Sequence, residues 1–247
     1  MVNLLVIDPL ELTLRDAAGK DVWTSKSCYL NQFRGIDSLR IELVGGADPD
    51  LCEKALAADG VVLGGSEASA WEDTGFNDHL LDLIAICRNS QIPLLGVCYG
   101  AQLLGRALGG HVARHPDGME LGAPPIRITA KGKEHFLFKG IASGCLWAIE
   151  THSDAVLTLP PDCELLASNA HTPVQAFSFR GLLTGVQFHP EMTASDLRYL
   201  WQAFMQQGIV SEVTEQQSRI LEATECEALP IVFRNFVQRV KVNSFVV

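Results

Sequence analysis

Pro93-Leu94-Leu95-Gly96-Val97-Cys98-Tyr99-Gly100-Ala101-Gln102-Leu103-Leu104 passes from an apolar, strand-like run into a helical one, with a cysteine at the corner. Glycines two residues before and two after Cys98 remove the Cβ atoms that would obstruct a tight strand-to-helix turn. Cys98 is therefore expected at a strand end, pointing outward. The first N–H groups and the positive dipole end of the next helix would face its sulfur, a setting that favours thiolate over thiol. Strand-corner-helix is also the building unit of a parallel α/β sheet, and open α/β sheets bind ligands beyond the carboxyl ends of their strands.

Around this corner the chain alternates. Apolar runs at Leu4-Ile7, Leu39-Val44, Val61-Leu63 and Leu94-Val97 are separated by helical stretches, and the pattern predicts four parallel, central strands. The helix from Asn77 to Arg88 is clearest, because Leu80, Leu83, Ile84 and Cys87 share one face. Glu72 and Asp73 read as an acidic pair at a helix start. The helix after Cys98 should stop at Gly109-Gly110. Beyond it, shorter runs at Ile126-Ile128, Leu146-Ile149, Leu165-Ala167, Val174-Phe179 and Leu182-Phe188 predict further strands and turns. The polar segment from Asp16 to Gly35 reads as a loop near the mouth of the site, without an assigned role. From Ser195 onward the chain reads as helices: Leu197, Leu200, Trp201 and Phe204 share one face. A stretch opening at Pro230 carries Ile231, Phe233, Phe236, Val237 and Val240. These helices are expected to cover the core, or to offer a docking surface to another subunit.

A nucleophilic thiol needs a base. Leu182 to Phe188 ends in His189-Pro190-Glu191; the proline holds His189 extended, and in extended chain residues two apart project to one side. Glu191 can therefore orient the His189 ring and steady the imidazolium it becomes. Taken alone, His189 would read as a capping or surface histidine. A third fragment, Gly64-Gly65-Ser66 after Val61-Val62-Leu63, stops a short strand and exposes backbone donors. Acyl transfer needs two N–H groups on the developing oxyanion; Tyr99, the residue after the nucleophile, offers one and Gly65 the other. Taken alone, the loop is an ordinary glycine turn.

These stretches resemble those of a class I glutamine amidotransferase, closest in motif to the glutaminase half of GMP synthetase. The resemblance rests on Gly64-Gly65-Ser66 through Ser69, Gly96 to Gln102, Leu108-Gly109-Gly110, and Gly185 to Glu191. Weaker echoes lie at Glu120-Leu121-Gly122, Thr151 to Val156, and Pro173 to Phe177. The matching region spans about residues 60 to 195, in the family's order. It implies a flavodoxin-like fold: an open, mostly parallel central sheet with helices on both faces. It also implies a thioester on Cys98, with His189 and Glu191 completing the triad and Gly65 and Tyr99 as oxyanion donors. Gln102 and the backbone around His152, Ser153 and Asp154 would hold the amino-acid end of the substrate. Two positions depart from the family: Gly-Gly-Ser stands where many members have Gly-Gly-Pro, and His-Ser-Asp where the synthetase glutaminase has His-Gly-Asp. A serine at 153 restricts the backbone there.

The 247 residues, 47% of them hydrophobic, suffice for one domain over 1–247, with a helical extension from about 195. A net charge of −10 and the lack of any basic run argue against nucleic acid or anionic membrane as partner. No apolar run reaches membrane-spanning length, and the first residues read as a core strand rather than a signal peptide. Seven cysteines without Cys-x-x-Cys spacing speak against disulfides and zinc, and fit a reducing cytoplasm. Cys28, Cys52, Cys87, Cys145, Cys163 and Cys226 read as packing residues. His79, His111, His115, His135 and His171 read as structural, and neither metal nor cofactor is expected. The remaining residues carry no phosphate loop or acceptor-activating domain, so the chain is expected to be a glutaminase without its own synthase. It would act on a small molecule, glutamine or a γ-glutamyl compound, and pass ammonia to a separate synthetase subunit. The alternatives are a self-contained γ-glutamyl hydrolase and a regulatory or binding protein without turnover.

Overall fold

The computed structural model describes residues 1–243. The expected helical extension over 195–247 thus has its last four positions, 244–247, outside the described residues. β1 (Val2–Asp8) opens the chain; the hairpin β2 (Thr13–Arg15) and β3 (Asp21–Thr24) leads into α1 (Ser25–Gln32). Then follow β4 (Leu39–Gly45), α2 (Leu51–Ala57), β5 (Gly60–Leu63), α3 (Gly75–Asn89), β6 (Leu94–Val97) and α4 (Tyr99–Ala107). The next stretch holds β7 (His111–Arg114), β8 (Glu120–Gly122), β9 (Pro125–Ile128), α5 (Ala130–Glu134), β10 (Cys145–Trp147), β11 (Glu150–His152) and β12 (Asp154–Thr158). β13 (Cys163–Ser168), β14 (Ala176–Phe179) and β15 (Leu183–Val186) precede α6 (Ala194–Gln206), α7 (Glu215–Ala223) and α8 (Pro230–Asn243).

Nine strands form one sheet in the order β10-β9-β13-β14-β15-β6-β5-β1-β4. β15, β6, β5, β1 and β4 run parallel, and the other half is antiparallel. β5, β6, β14 and β15 are buried along their whole length; covered on both faces, a central strand can carry an unbroken apolar run. Alternate residues of β1 divide between the two faces. Val2, Leu4 and Val6 join the core under α1 and α8, where Phe233, Phe236, Val237 and Val240 are buried. Leu5 and Ile7 join the core under α2, α3 and α4, with Leu80, Leu83, Ile84 and Cys87. A smaller cluster packs the β2–β3 hairpin against α6 through Trp23, Leu197, Leu200 and Trp201. Capping follows the sequence: Thr74 caps α3, and Thr193 with Asp196 makes a capping box for α6.

Three expectations are corrected. The strand at Leu39–Gly45 is parallel but lies at the sheet edge, not the centre; it alternates half-buried apolar residues with exposed Arg40 and Glu42. The segment from Asp16 to Gly35 is not a loop: most of it forms β3 and α1, and Cys28, Tyr29 and Phe33 are buried. Glu72 and Asp73 precede the cap of α3 at Thr74 rather than filling its first turn, where Asp78 stands. Asp73 instead pairs with Arg106.

Candidate active site

Cys98 occupies the corner between β6 and α4, with φ +51° and ψ −107°. A non-glycine residue at positive φ stores backbone strain, which persists only where the surroundings over-determine it. Here they do so through the two glycines. A Cβ on Gly96 would stand 2.6 Å from the Gly100 carbonyl, and one on Gly100 would stand 2.1 Å from the Leu63 carbonyl oxygen. The corner can therefore fold back on itself, and against the end of β5, only with glycine at both places. Its reward is a thiol at the N-terminus of α4, lining a cleft of about 180 Å³.

The candidate base arrives through sheet register. β15 runs beside β6 with Val186 opposite Val97, and the Cys98 amide donates to the Val186 carbonyl over 2.8 Å. The chain beyond Val186 must then pass the corner. Gln187 Nε2 donates to Cys98 Sγ at 3.5 Å. His189 is held by its own amide, which donates to the Ile149 carbonyl over 2.8 Å. Its Nδ1 lies 2.7 Å from Glu191 Oε1, both side chains being buried. Nε2 makes no hydrogen bond among the described residues. A Cβ on Gly65 would meet His189 Cε1 at 3.2 Å and Cys98 Cβ at 3.9 Å, so ring and thiol crowd the same glycine. Burial pulls the His189 pKa down, but the charge of Glu191 and the Cys98 sulfur outweigh it and hold the ring well above its ordinary value.

The Gly64–Gly65–Ser66 loop ends β5 on the other side of β6 and is stitched to the corner by Gly100 N–H, which donates to the Gly64 carbonyl over 3.1 Å. As the first residue of α4, Tyr99 has an N–H with no carbonyl to meet inside the helix. Gly65 differs: its N–H donates to the Tyr29 hydroxyl at 3.1 Å.

Gln102, His152, Ser153 and Asp154 all line the same cleft. Gln102 Nε2 donates to the Asp154 carbonyl at 2.7 Å and fixes that backbone. The Asp154 carboxylate accepts from Trp71 Nε1 at 3.0 Å. His152 donates from Nδ1 to the Asp154 carbonyl at 2.9 Å and from Nε2 to Glu120 at 3.1 Å, with Glu150 also 3.1 Å from Nε2. Burial lowers its pKa, yet the bonds to Glu120 and Glu150 prevail and lift it to about 10. Glu120, Glu150 and His152 bring three ligand-type atoms within 4.8 Å of one another. Within this group the His152 ring has both nitrogens engaged, Nδ1 on the Asp154 carbonyl and Nε2 between the two carboxylates. Glu120 is in turn held by Asn169, Thr172 and Gln175.

The sequence pattern of the family described as Glutamine amidotransferase class-I matches residues 33–207. The chain belongs to the class I glutamine amidotransferase family. Over 139 residues it is 37% identical to a glutamine-hydrolyzing GMP synthase of Porphyromonas gingivalis, a match covering 56% of this chain and 26% of that protein. Over 158 residues it is 35% identical to Gamma-glutamyl peptidase 4 of Arabidopsis thaliana, covering 63% of this chain and 61% of that one. The chain thus spans about a quarter of the length of the first relative and under two thirds of the second. A solved glutamine amidotransferase from Thermotoga maritima superimposes with a TM-score of 0.73 at 22% identity over 97% of each chain. Its fold is the flavodoxin-like arrangement of this amidotransferase, an open sheet flanked by helices.

Sequence reading of this amidotransferase missed the residues that reach the site from α1. Tyr29 holds Gly65, and three residues later Gln32 Nε2 donates to the Glu191 carbonyl at 3.0 Å. Their spacing of three places them on one helix face, the only local signal that they act together. Glu150 was also missed; its carboxyl is buried and its pKa pushed up by desolvation, and in sequence it stands between Ile149 and Thr151 with no motif to mark it. Among the described residues no helix is long and apolar enough to cross a membrane.

Proposed function

We propose that this chain hydrolyses the side-chain amide of glutamine through a thioester on Cys98 and hands the ammonia to a synthetase carried on another chain. The observation that carries this reading is the meeting of a thiol on a strained helix N-cap residue with a His189–Glu191 pair at the ends of adjacent parallel strands. Cys98 Sγ, its proton already held by His189 Nε2, attacks the carboxamide carbon. The negative oxygen of the tetrahedral intermediate is stabilised by the Tyr99 and Gly65 N–H groups. The C–N bond then breaks, His189 returns the proton to the leaving nitrogen, and ammonia departs. Water, deprotonated by the same ring, attacks the thioester; the C–S bond breaks, glutamate leaves and the thiol is restored. Glu191 keeps the ring oriented and balances its charge throughout. Gln102, His152, Ser153 and Asp154 grip the amino-acid end of the substrate. These steps need no cofactor.

The described residues act as one domain in this reading, since α8 packs on the same core as the sheet. Seven free cysteines favour the cytoplasm as its compartment. The GMP synthase relative supports a synthetase partner. A second reading, hydrolysis of γ-glutamyl peptides or amides without a partner, is favoured by one observation. The likeness to Gamma-glutamyl peptidase 4 runs over far more of that protein than the likeness to GMP synthase does. The two are separated by ammonia and amine release from glutamine and a panel of γ-glutamyl compounds. Weak glutamine turnover that rises when a synthetase and its acceptor are added supports the first reading. Robust turnover of γ-glutamyl peptides by the chain alone supports the second.

A further inference from the structure

The Gly65 N–H is one of two donors assigned to the oxyanion, and it is already spent. It donates to the Tyr29 hydroxyl at 3.1 Å, in a contact buried from solvent. One N–H serves one acceptor at full strength, so this donor cannot face the cleft and Tyr29 together. Tyr29 is firmly placed: the ring is buried, Phe233 of α8 meets it edge-on at 6.4 Å, and a Cβ on Gly64 would stand 2.5 Å from its oxygen. Burial and the nearby carboxylates of Glu191 and Asp8 keep the phenol protonated. The loop it holds has Ser66 where proline would confine the backbone of the preceding residue, so Gly65 keeps the freedom to turn.

We propose that Tyr29 is a positioning residue that holds the Gly64–Gly65–Ser66 loop with its oxyanion donor withheld, and that turnover requires the Gly65 N–H to exchange the phenol for the substrate's oxyanion. The proposal rests on the thioester reading above. Its energetic logic is a modest hold: a neutral hydrogen bond is weaker than the charge-assisted one formed in the transition state. Tyr29 therefore slows the reaction without blocking it, and whatever moves α1 or α8 changes the rate.

The test is Tyr29→Phe, which keeps the ring and removes the acceptor. The kcat for glutamine, or for whichever γ-glutamyl compound wild type turns over, is expected to rise about 3- to 10-fold, the worth of one neutral hydrogen bond. KM should stay within about twofold, because the donor acts only on the oxyanion. An unchanged or lower kcat in folded Tyr29→Phe overturns the proposal. Should that variant not fold, the wild-type protein decides through a structure with a γ-glutamyl aldehyde bound as its tetrahedral adduct. Gly65 N–H on the adduct oxygen supports the exchange, and Gly65 N–H still on Tyr29 overturns it. Labelling of Cys98 by a γ-glutamyl chloroketone keeps the two claims apart. Labelled Cys98 with no gain in Tyr29→Phe sinks the hold alone, whereas unlabelled Cys98 sinks the thioester reading and the hold with it.

Discussion

His189 Nδ1 sits 2.7 Å from Oε1 of Glu191, two residues further along the chain, with Pro190 between them. The carboxylate fixes the tautomer that leaves Nε2 on the side of Cys98, and it offsets the charge of the imidazolium within a buried site. Removing the ring and removing its orienter should therefore differ in cost. His189→Ala is expected to lower kcat on glutamine or its γ-glutamyl analogues by about 10⁴-fold or more, whereas Glu191→Gln should retain about 50-fold more activity than that. Steady-state kinetics on both variants check it, and equal losses would give Glu191 a structural role instead.

Cys98→Ala should abolish turnover while leaving the urea midpoint within about 0.5 M of wild type, because a small side chain at a strand end leaves little cavity. Cys98→Gly should be at least as stable as Cys98→Ala, since glycine alone tolerates φ +51° without strain. Urea unfolding of the pair measures the strain held at the corner.

Gly100→Ala tests the packing that makes the corner. The added Cβ would lie 2.1 Å from the Leu63 carbonyl oxygen, a backbone atom with no flexible end to swing aside. A loss of about 3 kcal/mol is expected, with activity falling too as β5 and α4 separate. Phe236→Ala, fully buried in α8 and not among the residues lining the cleft, should cost about 3–5 kcal/mol through its cavity with a smaller change in kcat.

His152 sets a pH dependence of stability. Its pKa rises from an ordinary 6.5 to about 10, despite burial, through Glu120 and Glu150. Below about pH 6.5 the ring is protonated whether folded or unfolded, and the pairing contributes fully. Between 6.5 and 10 the unfolded chain sheds the proton that the folded protein keeps, so stability falls across that window. Thermal melts from pH 7 to 10 should show this decline, and His152→Gln should make it shallower, with His189, also raised, leaving a residual slope of the same sign.

Much of this was legible locally. The glycine-framed corner, the His-Pro-Glu turn, the apolar face of the helix through Asn77 to Arg88 and the helix opening at Pro230 are each specified by neighbours within a few residues. What was hidden depends on distant chain. The edge position of Leu39–Gly45 follows from which strand leaves β1 uncovered, although the alternation of Arg40 and Glu42 with apolar residues was a usable sign. Tyr29 and Gln32 gain their roles only because the sheet carries Gly65 and Glu191 to the face that α1 presents. Glu150 reads as a surface residue until β8 and β11 pair and close His152 over it.

Peptide mapping of acid-quenched protein after brief exposure to glutamine and to a γ-glutamyl peptide tests the central claim most directly, because the chain holds seven cysteines and only one stands at the corner. A glutamyl adduct on the Cys98 peptide, absent from the other six and lost in Cys98→Ala, is the expected result. Turnover with the adduct on another cysteine, or undiminished turnover in Cys98→Ala, would contradict the account.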